Sequence, residues 1–160
     1  MKRFQLSCFI FVVLLGNYYQ AHGQSLAPGR GFHAPSRKYE LTSLLFRLRL
    51  VKEVSSKVVG WGVRGEFFLL SEDILRVGDE GDFKRMLDDE NPIVRAMGLI
   101  CLAQSNAVKH ADALRSRLGD DGQVGLLVGC VGRRARVGEI ASMLLADPDF
   151  LGHSSKRTPE

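Results

Sequence analysis

From Tyr39 onward, apolar residues return every three or four positions. Leu41, Leu44, Leu45, Leu48, Val51, Val54 and Val58 share one stripe, so the spacing predicts an amphipathic helix over 39–58. Its opposite side carries Arg47, Arg49, Lys52 and Lys57, a solvated face. The glycine-rich run Gly60-Trp61-Gly62-Val63-Arg64-Gly65 breaks the period. A second helix is expected from Glu66 to Val77, with Phe67, Leu70, Ile74 and Val77 on its stripe and Gly78 as its stop. Asp82 is placed to cap a short helix bearing Phe83, Met86 and Leu87. Asn91-Pro92 then opens another, striped by Ile93, Ala96, Met97, Ile100 and Cys101. Asparagine accepts from a free first-turn N–H, and proline lacks the N–H that would go unpaired there.

The pattern breaks at Ser105-Asn106 and resumes with Val108, Ala111, Leu114 and Leu118, ending in the turn Gly119-Asp120-Asp121-Gly122. Val124, Leu127, Val128 and Val131 predict a glycine-weakened helix. Val137, Ile140, Ala141, Leu144 and Leu145 predict one more, closed by Asp147-Pro148. The best strand candidate, Val54 to Val59, continues the stripe of the helix before it. The expected class is therefore all-α.

The stretch Asp88-Asp89-Glu90-Asn91-Pro92-Ile93-Val94-Arg95-Ala96-Met97-Gly98-Leu99 resembles a HEAT-type helical hairpin: a short helix, an acidic turn, Asn-Pro, then a helix with Val-Arg near its start. Leu87-Asp88-Asp89-Glu90 is echoed by Leu118-Gly119-Asp120-Asp121, a spacing near 30 residues. The resemblance spans roughly residues 80–133. It implies a HEAT-like α-solenoid, a short right-handed stack of antiparallel helix pairs. It also implies structural roles for Asp88, Asp89, Asn91, Pro92 and Arg95, with a turn aspartate meeting the arginine within or between repeats. Such folds serve many functions, so the resemblance speaks to architecture rather than mechanism.

Lys2 and Arg3 precede the apolar run Phe9 to Leu15, and Ala21-His22-Gly23 offers small residues for a signal peptidase. Residues 1–23 thus read as a signal peptide cleaved before Gln24. The run is shorter than the ~20 apolar residues a bilayer span needs. Residues 24–37 read as a flexible linker, 38–150 as the helical domain and 151–160 as a mobile tail. The implied location is periplasmic or extracellular, with no membrane contact after cleavage. Loss of Lys2 and Arg3 takes the formal net charge from +4 to +2. The densest basic spot, Arg133-Arg134-Ala135-Arg136, is too short for a nucleic-acid surface and reads as a solvated helix end. Cys101 and Cys130 would sit in an oxidising compartment, where a bridge between them is open.

Candidate chemistry is thin. Gly60 to Gly65 matches G-x-G-x-x-G formally, yet a nucleotide site needs a strand before it and a parallel strand after. His33, His110 and His153 are far apart, and neither cysteine has a partner at zinc spacing. Cys101 lies on an apolar stripe, where a thiol is usually inert. No cofactor is implied. The sequence reads as a non-enzymatic module that presents a surface to a protein partner. Trp61, Lys84, Arg85, Lys109 and Arg115 are its candidate contacts, and the oligomeric state is left open. Two alternatives stand beside this: a HEAT-like lyase-type enzyme or subunit handling a small ligand, and a self-associating envelope component.

Overall fold

The computed structural model describes Ser36 to Gly152; the expected signal segment, most of the linker and the end of the tail lie outside these residues. In chain order the elements are α1 (Arg37–Leu50), β1 (Glu53–Val59), β2 (Val63–Arg64), α2 (Glu66–Val77), α3 (Glu80–Met86), α4 (Pro92–Asn106), α5 (Ala111–Arg115), β3 (Gln123–Gly129), β4 (Val131–Arg136) and α6 (Val137–Ala146). The strands form one mixed sheet in the order β2-β1-β3-β4. β1 and β3 run parallel at its centre, and each pairs antiparallel with its own hairpin partner outside.

This overturns the all-α expectation and the HEAT-like α-solenoid with it: helices and a four-stranded sheet share one core. The helix expected over 39–58 ends at Leu50, and its last third is β1. Val51 and Val54 fit a helical stripe by spacing alone. The segment is rich in β-branched valine, which favours a pleated surface, and in serine, which is a weak helix former. The segment from Val124 to Val131 likewise pairs as strand, since Gly125 and Gly129 cost a helix about 1 kcal/mol each. Arg133-Arg134-Ala135-Arg136 belongs to edge strand β4, not to a helix end.

Other local signals act as their chemistry requires. The Asn91 side chain accepts from the Ile93 N–H at 2.9 Å, with Pro92 opening α4. α2 runs from Glu66 to Val77 and stops at Gly78. α3 is capped one turn earlier than Asp82: Asp79 accepts from the Asp82 N–H, and Asp82 reciprocates at the Asp79 N–H. α4 is the buried hub, with Met97, Leu99, Ile100, Cys101 and Leu102 inaccessible to solvent, and it packs against α2, α3 and α6. Leu151, at the start of the expected tail, is buried, and its carbonyl accepts from the Lys57 N–H at 2.9 Å.

An internal repeat exists, but it is not the 30-residue helical one. Strand, turn, strand and helix occur twice, from β1 through α2 and from β3 through α6. Val54, Gly65, Phe67, Leu70, Ser71 and Ile74 are buried. So are their counterparts 70 positions later: Val124, Ala135, Val137, Ile140, Ala141 and Leu144. The exposed turn residues fall at the same offset. The two units meet along the parallel β1–β3 pair, and α3, α4 and α5 fill the connection between them.

Candidate surface at the hairpin end of the sheet

Because β1 and β3 are parallel, their following turns emerge at the same end of the sheet. Gly60 and Gly62 have φ values of 53° and 88°, and Gly129 has 59°; glycine occupies this left-handed region at no steric cost. The Gly60 N–H donates to the Gly129 carbonyl at 3.0 Å, and the Gly129 N–H donates to Ser56 Oγ at 3.0 Å. The Cys130 thiol contacts the Gly60 carbonyl at 3.5 Å. The two tips are thus tied to each other.

What the tips present is apolar. Trp61 is 102% exposed, Val131 69% and Val63 65%, with Val58 and Val128 partly exposed beside them. Val59, Trp61, Val63, Leu127 and Cys130 line an open groove of about 550 Å³. Such a patch gains nothing from the fold and is the kind of surface that marks a contact with another molecule. Trp61 does not cover a helix pair, so burial within the domain does not account for it. The two hairpins carry Lys57, Arg64, Arg133, Arg134 and Arg136, and Glu53 opens β1 level with Gly125 and Arg134, away from the tips. Arg64 is engaged by Glu72 at 3.0 Å while lying over the Phe68 ring, and Glu139 takes both Arg133 and Arg136. Among the described residues no carboxylate pairs with Arg134.

The other surface candidates lie elsewhere. Lys84 and Lys109 both pair with Glu80, Arg85 with Asp82 and Arg115 with Asp112. Lys109 and Lys84 hold the Glu80 carboxyl down at about 2. None of the four lines the groove beside Trp61.

Of the residues matched to the helical hairpin, Arg95 forms a clamp. Arg95 grips Asp120 with two parallel bonds, Nε to Oδ2 at 2.7 Å and Nη2 to Oδ1 at 2.9 Å. Its Nη1 reaches the carbonyls of Asp89 and Glu90, each at 2.9 Å. The acidic turn before α4 is thereby tied to the turn before β3. The carboxylates of Asp88 and Asp89 go instead to Arg117 and Arg49. The hydrogen bond from Arg95 holds the Asp120 carboxyl below its usual range, against partial burial.

Cys101 sits in the core on α4, where burial pushes its thiol up, and Cys130 is exposed on the β3–β4 turn. Both are free, so the bridge considered from sequence is not formed. His110 is buried at the start of α5, 3.8 Å from Glu80; His33 and His153 lie outside the described residues. Among the described residues no group of His, Cys, Asp or Glu is placed to hold a metal, and no helix is long and apolar enough to cross a membrane. The G-x-G-x-x-G run does follow a strand, contrary to expectation. It builds a β-hairpin, however, and not a phosphate-cradling turn. A Cβ at Gly65 would lie 2.3 Å from Ser55 Oγ, so that glycine serves packing. Glu66 opens α2 with negative charge, which opposes a phosphate there.

A reading by helical period assigns Val131 to a helix stripe and Arg134 to a helix end, and passes over Val63, so it misses their places on the hairpins. The signal that reveals them is the pairing of two valine-rich segments with glycine turns, read as hairpins. Comparison with known families and with curated proteins returns no match to this chain, so the HEAT resemblance has no support from that side.

Proposed function

We propose that the domain is a binding module that docks a protein partner through the hairpin end of its sheet. The observation that carries this is the complete exposure of the only tryptophan, set in an apolar groove between two glycine-pinned turns. Tryptophan dominates interface hot spots because it offers a large rigid surface at small entropic cost. The groove is lined by apolar side chains, which suits contact with apolar side chains of another protein. The apolar run Phe9 to Leu15 behind Lys2 and Arg3 supports placing this module outside the cytoplasm.

Cys130 gives direct access to the test, because it lines the groove and is exposed while Cys101 is buried. The full chain carrying Cys8→Ser is labelled at Cys130 with a photo-crosslinker and returned to extract of its native cells. The expected result is one dominant adduct with another protein, lost when Trp61→Ala is introduced. No adduct, adducts that ignore the tryptophan, or adducts only with a second copy of the chain would overturn the proposal.

A further inference from the structure

β4 is the outer strand of the sheet, and its side away from β3 carries no strand among the described residues. The direction of its backbone groups follows from the register. Gln123 faces Arg136, Val124 faces Ala135, and so on to Val128 facing Val131. The Val137 N–H donates to the Gly122 carbonyl at 2.9 Å, which extends the same register by one pair and marks it as hydrogen-bonded. Antiparallel pairs alternate between bonded and non-bonded. The backbone groups of Ala135, Arg133 and Val131 therefore point into the sheet, while the N–H and C=O of Gly132, Arg134 and Arg136 point off its edge. The Arg134 carbonyl takes a bond from its exposed neighbour, Arg133 Nη1, at 3.1 Å, a contact that an incoming strand can replace.

We infer that an acidic, extended segment of the partner adds to β4 as a fifth strand. The inference rests on the docking reading above and specifies its chemistry. An exposed edge is a template for strand addition, in which main-chain bonds give affinity and side chains give selectivity. Here the selectivity is for negative charge. Among the described residues Arg134 pairs with no carboxylate, and Arg133 and Arg136 share Glu139. Arg134 and Arg136 project from the same face of the strand, two residues apart, which matches acidic residues at alternate positions of an added strand. Arg134 lines a shallow groove with Lys52, Gln123 and its cross-strand neighbour Gly125.

The same charges argue against the other occupants. Two β4 edges brought together would oppose arginine with arginine, which is destabilising. The chain's own terminal segments do not supply the charge: residues 1–36 contain no Asp or Glu, and residues 153–160 contain only Glu160. These segments therefore do not supply the acidic strand, and the proposal assigns it to a partner protein.

The probe is an end-capped peptide of alternating glutamate and valine, titrated into the full chain with fluorescence anisotropy as the readout. Binding is expected, weakening with added salt. A lysine–valine peptide should bind at least about tenfold more weakly, since the arginines of β4 attract the one charge and repel the other. N-methylation of alternate glutamate–valine residues removes the main-chain donors but keeps the charge, and should abolish binding. Arg134→Glu should cost about tenfold or more in affinity with unfolding unchanged, because that side chain is exposed. Hydrogen exchange should slow at the amides of Gly132, Arg134 and Arg136 in the complex.

Equal binding of the N-methylated peptide, indifference to Arg134→Glu, or no binding of the glutamate–valine peptide would overturn strand addition. The Cys130 adduct separates this failure from that of the docking reading. If the adduct persists and depends on Trp61 while the peptide fails, docking stands and the acidic strand falls. A complex that forms only between copies of the chain also counts against it.

Discussion

The unit from β1 through α2 and the unit from β3 through α6 bury the same positions, 70 residues apart, with different side chains. The first fills its helix start with Phe67 and Phe68, both buried. The second places Val137 and Gly138 there. A Cβ on Gly138 would lie 2.3 Å from the Leu118 carbonyl oxygen, so the second helix sits directly against backbone where the first rests on an aromatic ring. The exposed positions diverge further. The first hairpin carries Trp61 and ends in a two-residue strand. The second carries Cys130 and a six-residue strand with three arginines. A shared buried frame fixes where the tips emerge, and the exposed positions are free to differ in chemistry. One unit supplies the apolar anchor and the other the basic edge.

The largest effects should come from the side chains that distinguish the two cores. Phe67→Ala should cost about 3–5 kcal/mol, a large part of a small domain's stability, and more than Val137→Ala at the matching position. Denaturant unfolding of both variants checks the order, and equal losses would break the comparison. Gly138→Ala should cost about 1–3 kcal/mol by the same measurement, because the neighbour it meets is main chain and has little room to shift.

Next comes the clamp that orients the second unit. Arg95→Ala leaves Asp120 half-buried without its partner and frees the turn carbonyls, for an expected loss of about 1.5–3 kcal/mol. Lysine at this position should not restore it, since the two parallel bonds need the guanidinium fork. The pH dependence has a defined sign. The Asp120 carboxyl is held down in the folded chain, so its contribution is complete above the unfolded carboxylate value of about 3.9 and is lost as pH falls through the lower folded value. Arg95→Ala should therefore flatten the acid limb of the stability curve. Asp79, bonded by Arg37, and Glu80, bonded by Lys109 and Lys84, should titrate near 2 in carbon-detected NMR and move upward with salt, because both are solvent-exposed.

The smallest effect on stability belongs to the residue given the largest role. Trp61→Ala should change unfolding by less than about 0.5 kcal/mol, as expected where a side chain makes no buried contacts. Its effect should appear in binding alone. A large loss of stability would mean that the indole packs inside the domain.

The sequence made the middle of this fold legible and its edges illegible, for a physical reason. Asn91-Pro92, the stripe of α4, Gly78 and the apolar face of α2 are local signals, and a helix is stabilised by local contacts. β1 and β3 are stabilised by each other across more than sixty residues, and Val51, Val54 and Val58 happen to match a helical stripe. Extending that stripe through the strand makes the glycine run read as a mere break in the period instead of a hairpin turn, and Arg133 to Arg136 as a helix end instead of a sheet edge. Trp61 was legible as the lone tryptophan, but its exposure was not, because that depends on the hairpin lifting it off the core. Arg95 was legible as structural, while its partner Asp120 required the fold.

Trp61 is the only tryptophan, so fluorotryptophan incorporation gives the full chain a single indole fluorine resonance. That resonance should be sharp in buffer, at the position of a water-exposed indole. In extract of the native cells it should shift and broaden saturably, and return to its free form when the Cys130 adduct partner is depleted. A resonance that stays sharp and unmoved in every fraction would contradict docking through the hairpin end.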